Sequence, residues 1–190
     1  MYIAIEGIDT AGKSTQIETL AHHFNDAIIT KEPGATLLGK EIRSLVLSAQ
    51  AHSKRAEFLL FLADRAEHLE EVIQPNLHKK MIISDRSAIS GVAYALVSGE
   101  IAKEEIVALN HFATQHTYPK KVFLLRLTQE ELEYRLSQKQ LDGIELRGSA
   151  YLLKIQDALC EAAQLLGVEL VEIDATQTRE QITQEILTNL

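Results

Sequence analysis

Cysteine, tryptophan and proline are scarce in this chain of 190 residues, which has one cysteine, Cys160, no tryptophan, and three prolines. A single thiol excludes an intramolecular disulfide framework, and there is neither a secretory apolar core nor an uninterrupted apolar span of about 18 residues. A soluble cytoplasmic protein without a membrane partner is expected. Pro33, Pro75 and Pro119 stand singly at element ends, and no Pro/Gly/Ser linker, repeat or low-complexity tract interrupts the chain, so one domain over residues 1–190 is expected. Basic residues are also in deficit, with 19 Lys and Arg against 27 Asp and Glu and a net charge of −8. That balance opposes general affinity for nucleic acid or anionic lipid, so any bound phosphate must be held by individually placed cations. His22–His23 and the His111/His116 pair lack a third ligand at metal-site spacing and read as surface histidines. Cys160 shares the helical repeat Tyr151, Leu152, Ile155, Leu159, Ala163 and reads as a small core residue.

Apolar residues make up 46% of the chain, enough for a core on both sides of a sheet. Short apolar runs at Tyr2–Glu6, Ala27–Thr30, Met81–Ser84, Val122–Leu127 and Glu169–Ile173 predict five strands. Between them, amphipathic stretches such as Gln16–Phe24, Arg55–Ile73, Glu104–Phe112, Gln129–Gln138 and Leu152–Leu166 predict helices. Connections of that length suit crossovers better than hairpins, which implies a three-layer α/β fold with a five-stranded parallel sheet flanked by helices.

The first strand runs into Gly7-Ile8-Asp9-Thr10-Ala11-Gly12-Lys13-Ser14-Thr15. Glycines at both ends let backbone N–H groups converge on an anion, the helix that follows adds its N-terminal dipole, and Lys13 adds a point charge. Ser14 can ligate magnesium. The turn is therefore read as a P-loop for nucleoside triphosphate phosphates, the alternative being an ordinary strand-to-helix turn. A carboxylate at the end of another buried strand is the second part such a site needs, and Met81-Ile82-Ile83-Ser84-Asp85 supplies Asp85. Asp85 could equally cap a helix, but Arg86 beside it makes a carboxylate and a guanidinium at one strand end, suited to magnesium and a second phosphate.

P-loop proteins include GTPases, motors and small-molecule kinases, and neither N-K-x-D nor T-K-x-D, the guanine signatures, occurs. Four stretches together resemble the thymidylate kinase family, P-loop nucleoside monophosphate kinases that phosphorylate dTMP with ATP. They are Gly7–Thr15; Lys31-Glu32-Pro33-Gly34-Ala35-Thr36 with Gly39 and Arg43; Phe61-Leu62-Ala63-Asp64-Arg65-Ala66-Glu67-His68; and Asp85-Arg86-Ser87 with Ser90, Gly91 and Tyr94. Asp142-Gly143-Ile144-Glu145 resembles the family's mobile lid, here a small helical segment at about 137–150, and Asp174-Ala175-Thr176 its adenine-side loop.

The resemblance implies transfer of the γ-phosphoryl of ATP to dTMP, giving dTDP and ADP, with magnesium held by Ser14 and Asp85. Asp9 would accept a hydrogen bond from the sugar 3′-hydroxyl, or merely stabilise the turn. Phe61 and Arg65, four apart on one helix face, would stack on the pyrimidine and donate to its edge. Phe61 could instead be plain core, and Arg65 could pair with Asp64 or Glu67. Arg86 and Arg43 would grip the acceptor phosphate, or remain solvated charges, while Glu32, Pro33, Ser90 and Gly91 complete the acceptor site. Tyr94 would lie against the sugar C2′ and disfavour ribose, with a core role as its alternative. The resemblance also implies a homodimer through packed helices.

Two departures leave the transition-state cation open: Thr10 stands where one branch of the family has a basic P-loop residue, and Gly143 where the other has a basic lid residue. If the lid continues as a helix past Gly143, Arg147 projects from the same face, and Arg135 and Lys139 repeat the spacing on the approach. Arg147 is the expected catalytic cation, beside Lys13 and Arg86. Ala35 replaces the second glycine of the family's E-P-G-G-T. The rival readings are another (deoxy)nucleoside or pyrimidine monophosphate kinase, and a non-catalytic nucleotide-binding module.

Overall fold

The computed structural model describes residues 1–48, 52–140 and 145–190. Its strands β1 (Tyr2–Glu6), β2 (Ile28–Lys31), β3 (Ile82–Asp85), β4 (Lys121–Arg126) and β5 (Glu169–Asp174) form one parallel sheet in the order β2-β3-β1-β4-β5. The helices are α1 (Lys13–His23), α2 (Leu37–Leu47), α3 (Lys54–His68), α4 (Ala88–Ser98), α5 (Lys103–Thr114), α6 (Gln129–Ser137), α7 (Ser149–Leu166) and α8 (Arg179–Thr188). α3 continues through a wider turn, Leu69–Ile73, into one last turn, Gln74–Asn76.

Alternation along the central strands builds the two cores. Ile3, Ile5, Phe123 and Leu125 face one side, where Leu20 of α1, Leu132 of α6, Leu152 of α7 and Ile182 of α8 cover them. Ala4, Val122 and Leu124 face the other, beneath Leu62 of α3, Ile89 and Val92 of α4, Ile106 of α5 and Leu159 of α7. With both faces covered, the central strands β1 and β4 are apolar over Tyr2–Ile5 and Val122–Leu125, as buried parallel strands require, while the edge strand β5 keeps polar Glu169 and Glu172. Ile5 and Phe123 are register partners with no exposed surface, so truncating Phe123 to Ala would cost about 3–5 kcal/mol and loosen the strand from which the P-loop springs.

Helices α2, α4 and α8 fall outside the stretches singled out from the sequence. Ala88–Ser98 is apolar or small almost throughout and largely buried, so no polar face marks its period. α8 buries only Ile182 and Ile186, and its start is fixed by a capping box between Thr178 and Gln181. Ser87 and Thr36 cap α4 and α2 by accepting from Ile89 N and Gly39 N.

The register places three motifs at one edge of the sheet. Asp85 ends β3 beside Ile5 on one side and Lys31 on the other, so the P-loop, Asp85-Arg86 and Lys31-Glu32-Pro33 leave adjacent strand ends. Ligands of open α/β sheets bind at this carboxyl edge.

Candidate active site

Gly7 leaves β1 at φ 149°, and a Cβ there would stand 2.9 Å from the Leu125 carbonyl oxygen and 3.1 Å from the Ala11 Cβ, so only glycine lets the loop lie against β4. Thr10 and Arg86 both hold left-handed backbone, at φ 70° and 67°, a strained choice for residues with side chains. No side chain caps α1, whose N-terminus faces into the loop as an anion site would need, and Ser14 and Thr15 are exposed on its first turn. The Lys13 ammonium is buried and donates to the Gly7 and Ile8 carbonyls at 2.9 and 3.0 Å. Burial, assisted by the positive charge of Arg86, pushes its pKa down to about 8.

Arg86 joins this loop to the acceptor side. Its Nη2 donates to Asp9 Oδ1 at 2.8 Å, and its Nη1 donates to the Gly7 carbonyl at 3.2 Å and to Ser90 Oγ at 3.1 Å. Behind it lies Glu6, fully buried, which accepts from Ser87 N, Ser87 Oγ, Ser90 N and Ser90 Oγ. Burial raises the Glu6 pKa, and Arg86 with these hydroxyls opposes the rise. Asp9 and Arg86 were expected to touch sugar and phosphate separately; here they form one pair at the junction of two motifs.

Asp85 and Ser14 line the same cavity, of about 420 Å³, and Asp85 Oδ1 is buried with no hydrogen-bond partner among the described residues. An unsatisfied carboxylate oxygen and a hydroxyl facing one space fit a divalent cation that takes its other ligands from phosphate and water. The described residues contain no cluster of three or more His, Cys, Asp or Glu able to hold a metal unaided, and His111 and His116 stack on each other with centroids 4.2 Å apart.

On the acceptor side a second cavity, of about 290 Å³, is lined by Phe58, Phe61, Gly91, Tyr94, Arg147 and Tyr151 among others. Phe61 is half-buried in its wall, and burial raises the Tyr94 pKa to about 12, keeping the phenol neutral. Arg65 is buried one turn beyond Phe61 on α3; its partners are Glu32 Oε1 at 2.5 Å and Asn110 Oδ1 at 2.5 Å, rather than Asp64 or Glu67. Burial would raise the Glu32 pKa, but the Arg65 guanidinium and His68 outweigh it and hold the carboxyl low. Arg43 Nη1 donates to the Pro33 carbonyl at 3.0 Å, tying α2 to the loop after β2.

Asp142, Gly143 and Ile144 of the expected lid lie outside the described residues. Beyond them Glu145–Arg147 forms a single tight turn, and the Arg147 guanidinium stands 4.8 Å from the centroid of the Tyr151 ring and 2.9 Å from its hydroxyl. Lys139 bonds Glu145 at 2.7 Å. Arg135 reaches the P-loop: Nη1 donates to the Thr10 carbonyl at 2.9 Å, and Nη2 to the carbonyl of Ala175, in the expected adenine-side loop, at 2.7 Å.

This combination has counterparts. A family model described as thymidylate kinase matches residues 5–186. The chain belongs to the thymidylate kinase family. A protein of Sulfurimonas denitrificans named thymidylate kinase is 70% identical over 100% of this chain and 99% of its own length. One from a Sulfurovum species, of the same name, is 50% identical over 100% and 99%. A crystal structure of thymidylate kinase from Ehrlichia chaffeensis superimposes with a TM-score of 0.75 at 28% identity, covering 100% of this chain and 97% of that one.

Two residues of this thymidylate kinase family site escaped the sequence reading. Glu6 looked like the end of a strand, and only Gly7 after it was informative. Asn110 sits on a helix 45 residues from Arg65, and nothing local to it announces the contact.

Proposed function

We propose that this protein transfers the γ-phosphoryl of ATP to the phosphate of dTMP, giving dTDP and ADP, by direct in-line displacement. The observation that carries this reading is the Asp9–Arg86 pair, which stands between a P-loop and a cavity walled by Phe61, Gly91 and Tyr94. Donor and acceptor phosphates would meet at that pair. Lys13, released from the loop carbonyls, would neutralise the triphosphate; Arg86 and Arg43 would orient the acceptor phosphate; Phe61 and Arg65 would select the base. Glu32 and Ser90 act behind them, on Arg65 and Arg86. Magnesium held by Ser14 and Asp85 would neutralise phosphate charge. Transfer of this kind depends on positioning and electrostatics, so no covalent intermediate is needed.

Dimerisation through helices belongs to the same reading. Leu47 of α2, Leu59 of α3 and Phe112 of α5 are 67%, 54% and 84% exposed, while Phe58 and Leu62 of α3 turn to the core. Light scattering of the purified chain tests for a homodimer. Among the described residues no helix is long and apolar enough to cross a membrane.

The deciding experiment is multiple-turnover ADP release with dTMP, dUMP, dCMP and purine monophosphates. Release that requires a pyrimidine monophosphate bearing a 4-carbonyl, and is fastest with dTMP, is expected. Absence of ADP formation with every acceptor would refute the assignment and favour a non-catalytic nucleotide-binding module, and equal use of dTMP and dCMP would favour a different monophosphate kinase. Preference for dTMP over dUMP should be modest, since one methyl contact is worth about 1–3 kcal/mol.

A further inference from the structure

Arg65 carries three nitrogens, and two of them are occupied. Nε donates to Glu32 and Nη1 to Asn110, while Nη2 has no partner among the described residues. Nη2 lies against Gly91: a Cβ built on Gly91 would stand 2.7 Å from it. Gly91 and Phe61 belong to the wall of the acceptor cavity, so the vacant space of a missing side chain separates the free end of the guanidinium from that wall.

Asn110 is built to hold this orientation. It is fully buried on α5; Nδ2 donates to the Ile106 carbonyl at 2.7 Å, and Oδ1 accepts from Arg65. Reversing the amide would put a carbonyl against a carbonyl and NH₂ against a guanidinium, so the Ile106 bond fixes which end faces Arg65. Glu32 is steadied in turn by His68, whose Nδ1 lies 3.7 Å from Oε2 and whose Nε2 bonds Thr30 Oγ1 at 2.7 Å. A guanidinium gripped on two of its three nitrogens has lost the rotamer freedom that a long side chain would otherwise lose on binding.

We propose that Asn110 is a positioning residue for acceptor selection: with Glu32 it locks the Arg65 fork so that Nη2 alone is presented, past Gly91, to the pyrimidine O4. This rests on the reading of Arg65 as the base-edge donor. A donor-only group favours the carbonyl of thymine over the amino group of cytosine, and the preference holds only while the guanidinium cannot turn away.

The test measures kcat/KM for dTMP and dCMP, and KM for ATP, in Asn110→Ala, Asn110→Asp, Arg65→Met and the Asn110→Ala/Arg65→Met double variant. Asn110→Ala is expected to lower kcat/KM for dTMP about tenfold and to shrink the dTMP/dCMP ratio, with KM for ATP within about twofold. The double variant should match Arg65→Met alone, because the two side chains act as one unit. Asn110→Asp keeps an acceptor for Nη1 but gives up the donor to the Ile106 carbonyl, so it should keep a dTMP/dCMP ratio above that of Arg65→Met; this arm decides if the Ala variant does not fold, and a ratio equal to that of Arg65→Met overturns the proposal. An unchanged ratio in folded Asn110→Ala, while Arg65→Met abolishes it, overturns the role of Asn110 alone. An unchanged ratio in Arg65→Met removes the reading of Arg65 itself.

Discussion

Nη1 of Arg135 stands 2.9 Å from the carbonyl oxygen of Thr10, so helix α6 brings a guanidinium to the P-loop at the residue where a branch of the family carries its own basic side chain. Arg147, the cation expected from the sequence, lies instead against Tyr151 in the wall of the acceptor cavity. Arg135→Ala is therefore expected to lower kcat/KM for ATP by roughly one to two orders of magnitude, with KM for dTMP little changed. Arg147→Ala should act mainly through KM for dTMP. A kcat loss of two or more orders of magnitude in Arg147→Ala, with Arg135→Ala silent, would reverse this division and restore Arg147 as the transition-state cation.

Lys13 supplies a pH dependence. With its pKa near 8 in the free protein, the ammonium is charged below that pH and neutral above it, and a neutral amine cannot hold a triphosphate. The pH profile of kcat/KM for ATP reports groups of the free enzyme, so it should fall as pH rises through about 8. Lys13→Arg, slower at every pH, should lack that limb because guanidinium stays charged. Lys13→Ala should lose two or more orders of magnitude in transfer. A wild-type profile flat to about pH 10 would contradict the assignment.

Asp64 gives a stability signature. Its side chain is buried, Oδ1 accepts from Gly34 N at 2.9 Å, and Oδ2 has no partner among the described residues. Burial, with the Glu32 charge nearby, raises the pKa from 3.8 to about 6. Because the folded pKa is above the unfolded one, the folded state holds a proton the unfolded state has released between those values. Stability from this group is thus largest below about pH 4, falls as pH rises through 4 to 6, and stays low above that window. Asp64→Asn, which keeps the acceptor for Gly34, should gain Tm relative to wild type from pH 5 to pH 8, by at most about 3 kcal/mol in stability. A Tm difference independent of pH would show that Asp64 is not the titrating group.

The parts of this site that were legible in the sequence are those in which one backbone segment does the work. Gly7 to Thr15 is such a segment, since strand, turn and helix start are contiguous and the glycines have local reasons. Phe61 and Arg65 are legible only in part: their spacing puts them one turn apart on α3, but Phe61 lines the acceptor cavity while Arg65 is turned to Glu32 and Asn110. The strands β2 and β3 stand one residue later than read, at Ile28–Lys31 and Ile82–Asp85, since polar Lys31 and Asp85 pair in register where apolarity alone would have ended the runs. What stayed hidden is made by packing between distant segments. Arg135 finds Thr10 across 125 residues, Arg65 finds Asn110 across 45, and Glu6 gathers Ser87 and Ser90 across more than 80. No periodicity encodes these pairings, which exist only once both faces of the sheet are covered.

Asp9 is the last test, and the structure changes how it must be run. Its Oδ1 accepts from Arg86 at 2.8 Å and lies 3.9 Å from the Lys13 ammonium, so Asp9→Asn removes a charge that steadies Arg86 and Lys13 as well as any bond to the sugar. A simple loss of activity would not separate those effects. Rates for dTMP and its 3′-deoxy analogue in wild type and Asp9→Asn form a double-difference cycle in which everything acting through Arg86 and Lys13 cancels, because both acceptors carry the same phosphate. The hydroxyl-specific part should remain as an excess loss for dTMP of roughly tenfold, the scale of one hydrogen bond to a charged group. A common factor with no excess would leave Asp9 as the residue that aims Arg86 and take the 3′-hydroxyl away from it.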